Sequence, residues 1–191
     1  MFPSVYVSWA IFVLLAAFFI LRRVRRDYRH FRQLRPFTAF LQVLMFFIHG
    51  VLVGLSYGLR FKWPPFSQSL ASIAVGAVFA VVGVAILASA LQAFGPIKRM
   101  LGLKKDELKW SGVYRWTRNP QIVGYGLMLL SIPLLWPSWY AWVSVALYCP
   151  MAHGMVTIEE EHLNNLFGED YQQYCTRTPR YLGLALVRRS R

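Results

Sequence analysis

Two short clusters in the C-terminal half of this 191-residue sequence hold side chains suited to binding charged groups: Arg118-Asn119-Pro120 and Glu159-Glu160-Glu161. Asn is a favourable helix cap and Pro a favourable first helical residue, so the first cluster reads as a helix start. Free amides and a partial positive charge gather there, and with Arg118 alongside they attract a carboxylate or a phosphate. The same residues also fit a plain helix cap beside an arginine that reaches to lipid headgroups. The three carboxylates close an apolar helix, where they oppose the negative end of the helix dipole and require a compensating positive charge. Arg118 or Arg115 would supply it as a structural ion pair, and a bound cationic ligand would supply it as chemistry. The dipole argument admits both.

The elements that carry these clusters are apolar. Hydrophobic residues make up 57% of the chain and charged residues only 15%, with 21 Lys+Arg against 8 Asp+Glu. This excludes an ordinary soluble enzyme and a secreted disulfide module, and predicts an all-α, polytopic membrane bundle of about five transmembrane helices. The expected spans are Ser4 to Leu21, Phe37 to Leu59, roughly Ser67 to Phe94, Pro120 to Trp136 and Trp139 to Ile158. The last two, parted by Pro133 and Pro137, form a tight helical hairpin whose first arm is barely long enough to cross. The length suits one integral membrane domain over 1–191, with three helices in 1–94 and a loop, the hairpin and a charged tail in 95–191.

Charge orients the chain. The first span has no basic residue before it and seven arginines, Arg22 to Arg35, after it, the reverse of a cleaved signal peptide, so it reads as a retained anchor with its N-terminus outside. With five spans, seven basic residues of the first block, seven between Lys98 and Arg118 and five from Arg177 onward fall on one side, leaving only Arg60 and Lys62 on the other. The positive-inside rule makes the crowded side cytosolic, and it also holds all eight acidic residues. This layout accounts for the net charge of +13 without nucleic acid. Membrane lipids are the expected surroundings.

Within the spans, Gly50, Gly54 and Gly58 share one face of the second helix and suggest close helix packing, with a weaker version in Ser72, Gly76 and Ala80. Gln42 and His49 are expected to hydrogen-bond neighbouring helices. Gly124, one turn into the fourth helix, leaves room for a ligand or for another helix. Pro150 removes a backbone bond in the fifth helix, where an opening toward lipid would admit an apolar molecule sideways. No His/Cys set has metal-ligand spacing, so no metal is expected. Cys149 and Cys175 lie at different depths, which argues against a disulfide.

One resemblance is specific. Leu108, Gly112-Val113-Tyr114, Arg118-Asn119-Pro120 and Gly124, followed after the hairpin by Glu159-Glu160, Leu163, Phe167-Gly168, Tyr171, Tyr174 and Arg180, resemble the C-terminal signature of the isoprenylcysteine carboxyl methyltransferase and phospholipid methyltransferase superfamily. The resemblance implies an integral membrane enzyme that binds S-adenosylmethionine at the cytosolic mouth of the hairpin. Its acceptor would be lipophilic or membrane-resident: an isoprenylcysteine carboxylate, a phospholipid amine or a small thiol. Carried over by residue, it implies a cofactor pocket along Tyr114, Arg118, Asn119, Pro120 and Gly124, with Glu160 as a further cofactor ligand. Glu159 and Glu160 would border the transfer site as catalytic groups. The chain departs from the pattern at Ile122, where a Tyr is usual and Tyr125 stands in, and at Met155, where prenylcysteine-methylating members carry an arginine. A membrane reductase related to sterol reductases, and a non-catalytic membrane adaptor or small transporter, are the alternative functions.

Overall fold

The computed structural model describes residues 2–58, 69–94 and 108–182, and these are helical, with no strand among them. In chain order they form α1 (Phe2–Phe31), α2 (Pro36–Gly58), α3 (Leu70–Phe94), a 3-10 turn (Gly112–Arg115), α4 (Pro120–Leu135), α5 (Trp139–Phe167) and α6 (Glu169–Arg177). Helices α1, α2, α3 and α5 are long and apolar enough to cross a bilayer. The fifth expected span, α4, has 16 residues, or about 24 Å at 1.5 Å per residue. The expected helical hairpin is present as α4 and α5, joined across Trp136-Pro137-Ser138.

Two helices outrun their apolar runs. α1 continues through the arginine block to Phe31, so its charged end is a helical extension of the span. There Asp27 is buried, and its carboxylate accepts a hydrogen bond from the Arg35 amide at 3.3 Å, fixing the turn into α2. α5 runs on to Phe167, which places the three glutamates within the helix and corrects the expectation that they close it. The dipole acts within the last turn only, so it no longer explains what compensates them.

α1, α2 and α5 share the main core, in which Val13, Ala17, Val24, Met45, Leu52 and Met151 are buried together. α4 packs on α5 through Leu129, Tyr148 and Ala152. α3 lies outside α4, and its backbone meets that of α4 at two glycines. A Cβ on Gly124 would stand 2.8 Å from the Gly83 carbonyl oxygen and 2.9 Å from the Leu87 amide, and one on Gly83 would stand 2.7 Å from the Gly124 carbonyl oxygen. Of the two uses expected for Gly124, the neighbouring helix is therefore the one observed. The packing face expected on α2 is not: Gly50 and Gly54 are exposed and meet no atom within 4 Å. Small residues permit close approach without compelling it, and α2 buries its opposite side against α1 and α5. Gly124→Ala should thus cost about 1–3 kcal/mol by forcing two backbones apart, whereas Gly54→Ala should cost nothing. Thermal unfolding in one detergent compares them, and equal midpoints would refute the glycine contact.

His49 bonds neighbouring helices as expected: Nε2 donates to the Ser144 carbonyl at 2.9 Å, which leaves Nδ1 to accept from the Tyr125 hydroxyl at 3.2 Å. Gln42 does not, since its buried Oε1 has no partner among the described residues.

Candidate active site

Four pieces of chain converge at the charged end of the bundle: the 3-10 turn, the start of α4, the last third of α5, and α6 with the residues that follow it. Gly168, at φ +50°, turns the chain from α5 into α6 in a conformation that glycine adopts without strain. The turn sends Tyr171 and Tyr174 inward, where the Tyr174 hydroxyl donates to the Tyr114 carbonyl at 2.7 Å. Beyond α6 the chain crosses the start of α4 as a strap. The Pro179 carbonyl accepts the Arg118 amide at 3.0 Å, and the Arg180 carbonyl accepts the Asn119 side-chain amide at 3.0 Å and the Thr117 hydroxyl at 3.3 Å. Asn119 and Pro120 hold the cap and first-turn positions expected of them. The Asn119 side chain, however, binds the strap and makes no hydrogen bond to the helix amides.

The three glutamates, adjacent in sequence, point to three different surroundings. Glu161 faces α1 and pairs with Arg25 at 3.3 Å and Arg29 at 2.8 Å, in a partly exposed cluster that ties the charged ends of α1 and α5 together. Glu160 lies between two guanidiniums. Arg118 Nη1 is 3.0 Å from one carboxylate oxygen, with both side chains nearly buried, and Arg180 grips the group through Nε at 3.0 Å and Nη2 at 2.6 Å. The Glu160 carboxylate, by hydrogen bond first, holds the Arg180 guanidinium above its ordinary range. Glu159 is partly buried and makes no ion pair among the described residues. Its carboxylate is close enough to the Tyr28 and Tyr114 phenols to act on them electrostatically.

Arg118 is the hub. Nη1 also donates toward the Cys175 thiol and the Tyr171 hydroxyl, while Nε is buried with no partner among the described residues. Burial pushes the Tyr114, Tyr171 and Tyr174 phenols above their usual range, so they stay neutral and serve as hydrogen-bonding walls.

Residues 71–170 match the phospholipid methyltransferase family, which is over half of the chain. The chain belongs to the phospholipid methyltransferase family. No curated protein and no solved structure matches it. Methyl transfer within a multi-pass membrane protein is the chemistry this family brings, and the four converging pieces of chain form a polar cup in which Arg118, Glu160 and Arg180 meet. Of the residues singled out in sequence, Tyr114, Arg118, Asn119, Pro120, Glu159 and Glu160 come together here. Gly124 and Tyr125 do not: Gly124 is spent on α3, and Tyr125 turns into the bundle against Phe46, His49 and Tyr148. The stand-in role expected of Tyr125 therefore has no support in its contacts. Met155 is buried in the apolar core shared with α1 and α2, one helical turn before Glu159. Arg180, Tyr171 and Cys175 are the site residues that sequence reasoning left without a role. The first two stood in the family pattern, and nothing in the spacing of the third marked it.

Below the cup, the α4–α5 side of the bundle carries a groove of about 460 Å³ lined by Ile122, Gly126, Leu130, Tyr148, Cys149 and Ala152. His153 and Tyr181 close its charged end, with the histidine Nδ1 3.3 Å from the phenol oxygen. α5 passes through Pro150 as a continuous helix, and Cys149 and His153 on either side of it both face the groove.

Proposed function

We propose that this protein transfers a methyl group from S-adenosylmethionine to a lipophilic, membrane-resident acceptor, at a cup on the cytosolic face. The observation that carries this reading is Glu159, a partly buried carboxylate with no ion pair among the described residues, next in the helix to Glu160, whose partner Arg118 has a buried Nε with no partner among the described residues, in a chain of this family. S-adenosylmethionine has the matching charges: a carboxylate for Arg118 and the start of α4, and an ammonium and a sulfonium for acidic groups. When bound it supplies an activated methyl, whose bond to sulfur breaks with its electrons leaving on sulfur as the acceptor's lone pair forms the new bond.

The protein's own share is placement and exclusion of water. Glu160, already neutralised by Arg118 and Arg180, positions those two arginines and sets the shape of the cup. Glu159 is the group left to receive a cation and, for an amine or thiol acceptor, to take the proton released. The neutral phenols of Tyr114 and Tyr171 wall the site. The groove under Tyr181 gives an apolar acceptor a lateral route from the bilayer, with its reactive end directed to the cup.

Incubating membranes that contain the protein with S-adenosylmethionine labelled in the methyl group, then separating lipids, proteins and volatile thioethers, tests the reading and sorts the acceptors. Label above empty membranes in a single class is expected. Absence of both labelling and cofactor binding by calorimetry would leave the adaptor reading in its place, and binding of a nicotinamide would indicate the reductase.

A further inference from the structure

A second polar cleft lies at the same end of the bundle but outside the cup. It encloses about 500 Å³ between Trp110 and Arg115 of the 3-10 segment and Gln173, Tyr174, Arg177 and Thr178 of α6 and its end. Its lining contains two guanidiniums and no carboxylate. Arg115 and Arg177, like Arg22, Arg23, Arg26, Arg32 and Arg35, make no ion pair among the described residues, but they are the two that line one cleft together. Two like charges that share one cleft repel each other, and an anion held between them offsets that repulsion. Planar guanidiniums match a phosphate bidentately, and the Gln173 amide and Thr178 hydroxyl add hydrogen-bonding groups on the same wall.

The position of the cleft selects the source of that phosphate. Trp110 is 59% exposed and the nearby Trp116 is 78% exposed, a pair of indoles just before α4 enters its apolar run. Indoles at a helix end are the side chains that settle at the headgroup level of a bilayer. We infer that this cleft binds the phosphodiester headgroup of an anionic phospholipid, as a site separate from the proposed transfer site. The inference does not depend on the methyl-transfer reading, because neither Arg118 nor any glutamate lines the cleft, and Tyr174, the one wall it shares with the cup, has its hydroxyl turned to the Tyr114 carbonyl.

The test is native mass spectrometry of the full-length protein in detergent, titrated separately with phosphatidylglycerol, phosphatidylcholine and inorganic phosphate. The wild type and the exposed double substitution Arg115→Gln/Arg177→Gln are compared, with calorimetry of S-adenosylmethionine on both. One phosphatidylglycerol should bind the wild type about 25-fold more tightly than the variant, about fivefold for each arginine lost near an anionic headgroup. Arg115→Lys/Arg177→Lys, which keeps the charge, should recover part of that difference and serves if the Gln pair folds poorly. Equal phosphatidylglycerol binding by wild type and Gln variant would overturn the inference. So would inorganic phosphate binding as tightly as the lipid, which would mean a soluble anion site, or loss of cofactor binding in the Gln variant without loss of lipid, which would make the cleft a wall of the cofactor site.

Discussion

Glu159→Gln should weaken S-adenosylmethionine binding at least about 30-fold and reduce methyl transfer in step, while leaving the unfolding midpoint unchanged or slightly higher. The expected loss follows from removing one partner of a desolvated charge pair, which costs about 2–5 kcal/mol, and about 2 kcal/mol is already a factor of 30 in affinity. The stability expectation follows from the surroundings. Glu159 has no ion pair to lose among the described residues, and its neighbour Glu160 repels it. Gln keeps the shape and removes the repulsion. Glu161→Gln is the matched control one residue along: its partners Arg25 and Arg29 are 44% and 60% exposed, so the change should stay within about 1 kcal/mol of stability and leave binding untouched. Wild-type affinity in Glu159→Gln, measured by calorimetry in detergent, would remove the carboxylate from the cofactor site and with it the main support for the proposed function.

That three adjacent glutamates separate into three roles was not legible in the sequence. Apolar run length, the proline breaks and the basic blocks fix the helix order and the hairpin, because burial in lipid leaves few alternatives for runs of that length. The same signals place Arg118 and the glutamates at one end of the bundle, and the ion pairs of Glu160 and Glu161 show that end assembled. Which glutamate meets which arginine depends on the 100° step between successive helical residues and on where α1 and the strap happen to lie. Neither is written in residue type. The extension of α1 through its arginines was hidden for a related reason: hydropathy marks the part of a helix that lies in lipid and says nothing of the turns that continue past it. Glycine spacing was a mixed guide. The regular face Gly50 and Gly54 packs nothing, whereas Gly76 of the weaker series on α3 packs against Leu134 and Leu135 of α4, and the close contact with Gly124 falls to Gly83, outside that series. Spacing shows where backbones are able to approach, and only the partner helix decides where they do.

Glu160→Ala should be the most destabilising single change at the site, by about 3–5 kcal/mol, because it strands a nearly buried guanidinium rather than merely deleting an attraction. The Arg118 and Glu160 side chains are only 13% and 12% exposed, and Arg118 Nε already lacks a partner. Arg180→Ala should be far milder, within about 1 kcal/mol, since its side chain is 41% exposed and Glu160 keeps Arg118. The backbone carbonyl that holds Asn119 and Thr117 also survives that change. A double-mutant cycle with Arg118→Ala separates a pair from two independent groups: once Arg118 is gone, Glu160→Ala should cost markedly less than it does alone. Unfolding midpoints in one detergent, with calorimetry of the cofactor on the folded variants, provide the readout. If Glu160→Ala unfolds like the wild type yet loses cofactor binding, Glu160 is itself a ligand group and the division of labour with Glu159 is reversed. If it unfolds early while the folded fraction still binds, the Arg118–Glu160 pair is the frame and Glu159 the working carboxylate, because only a residue outside that frame can be exchanged without moving it.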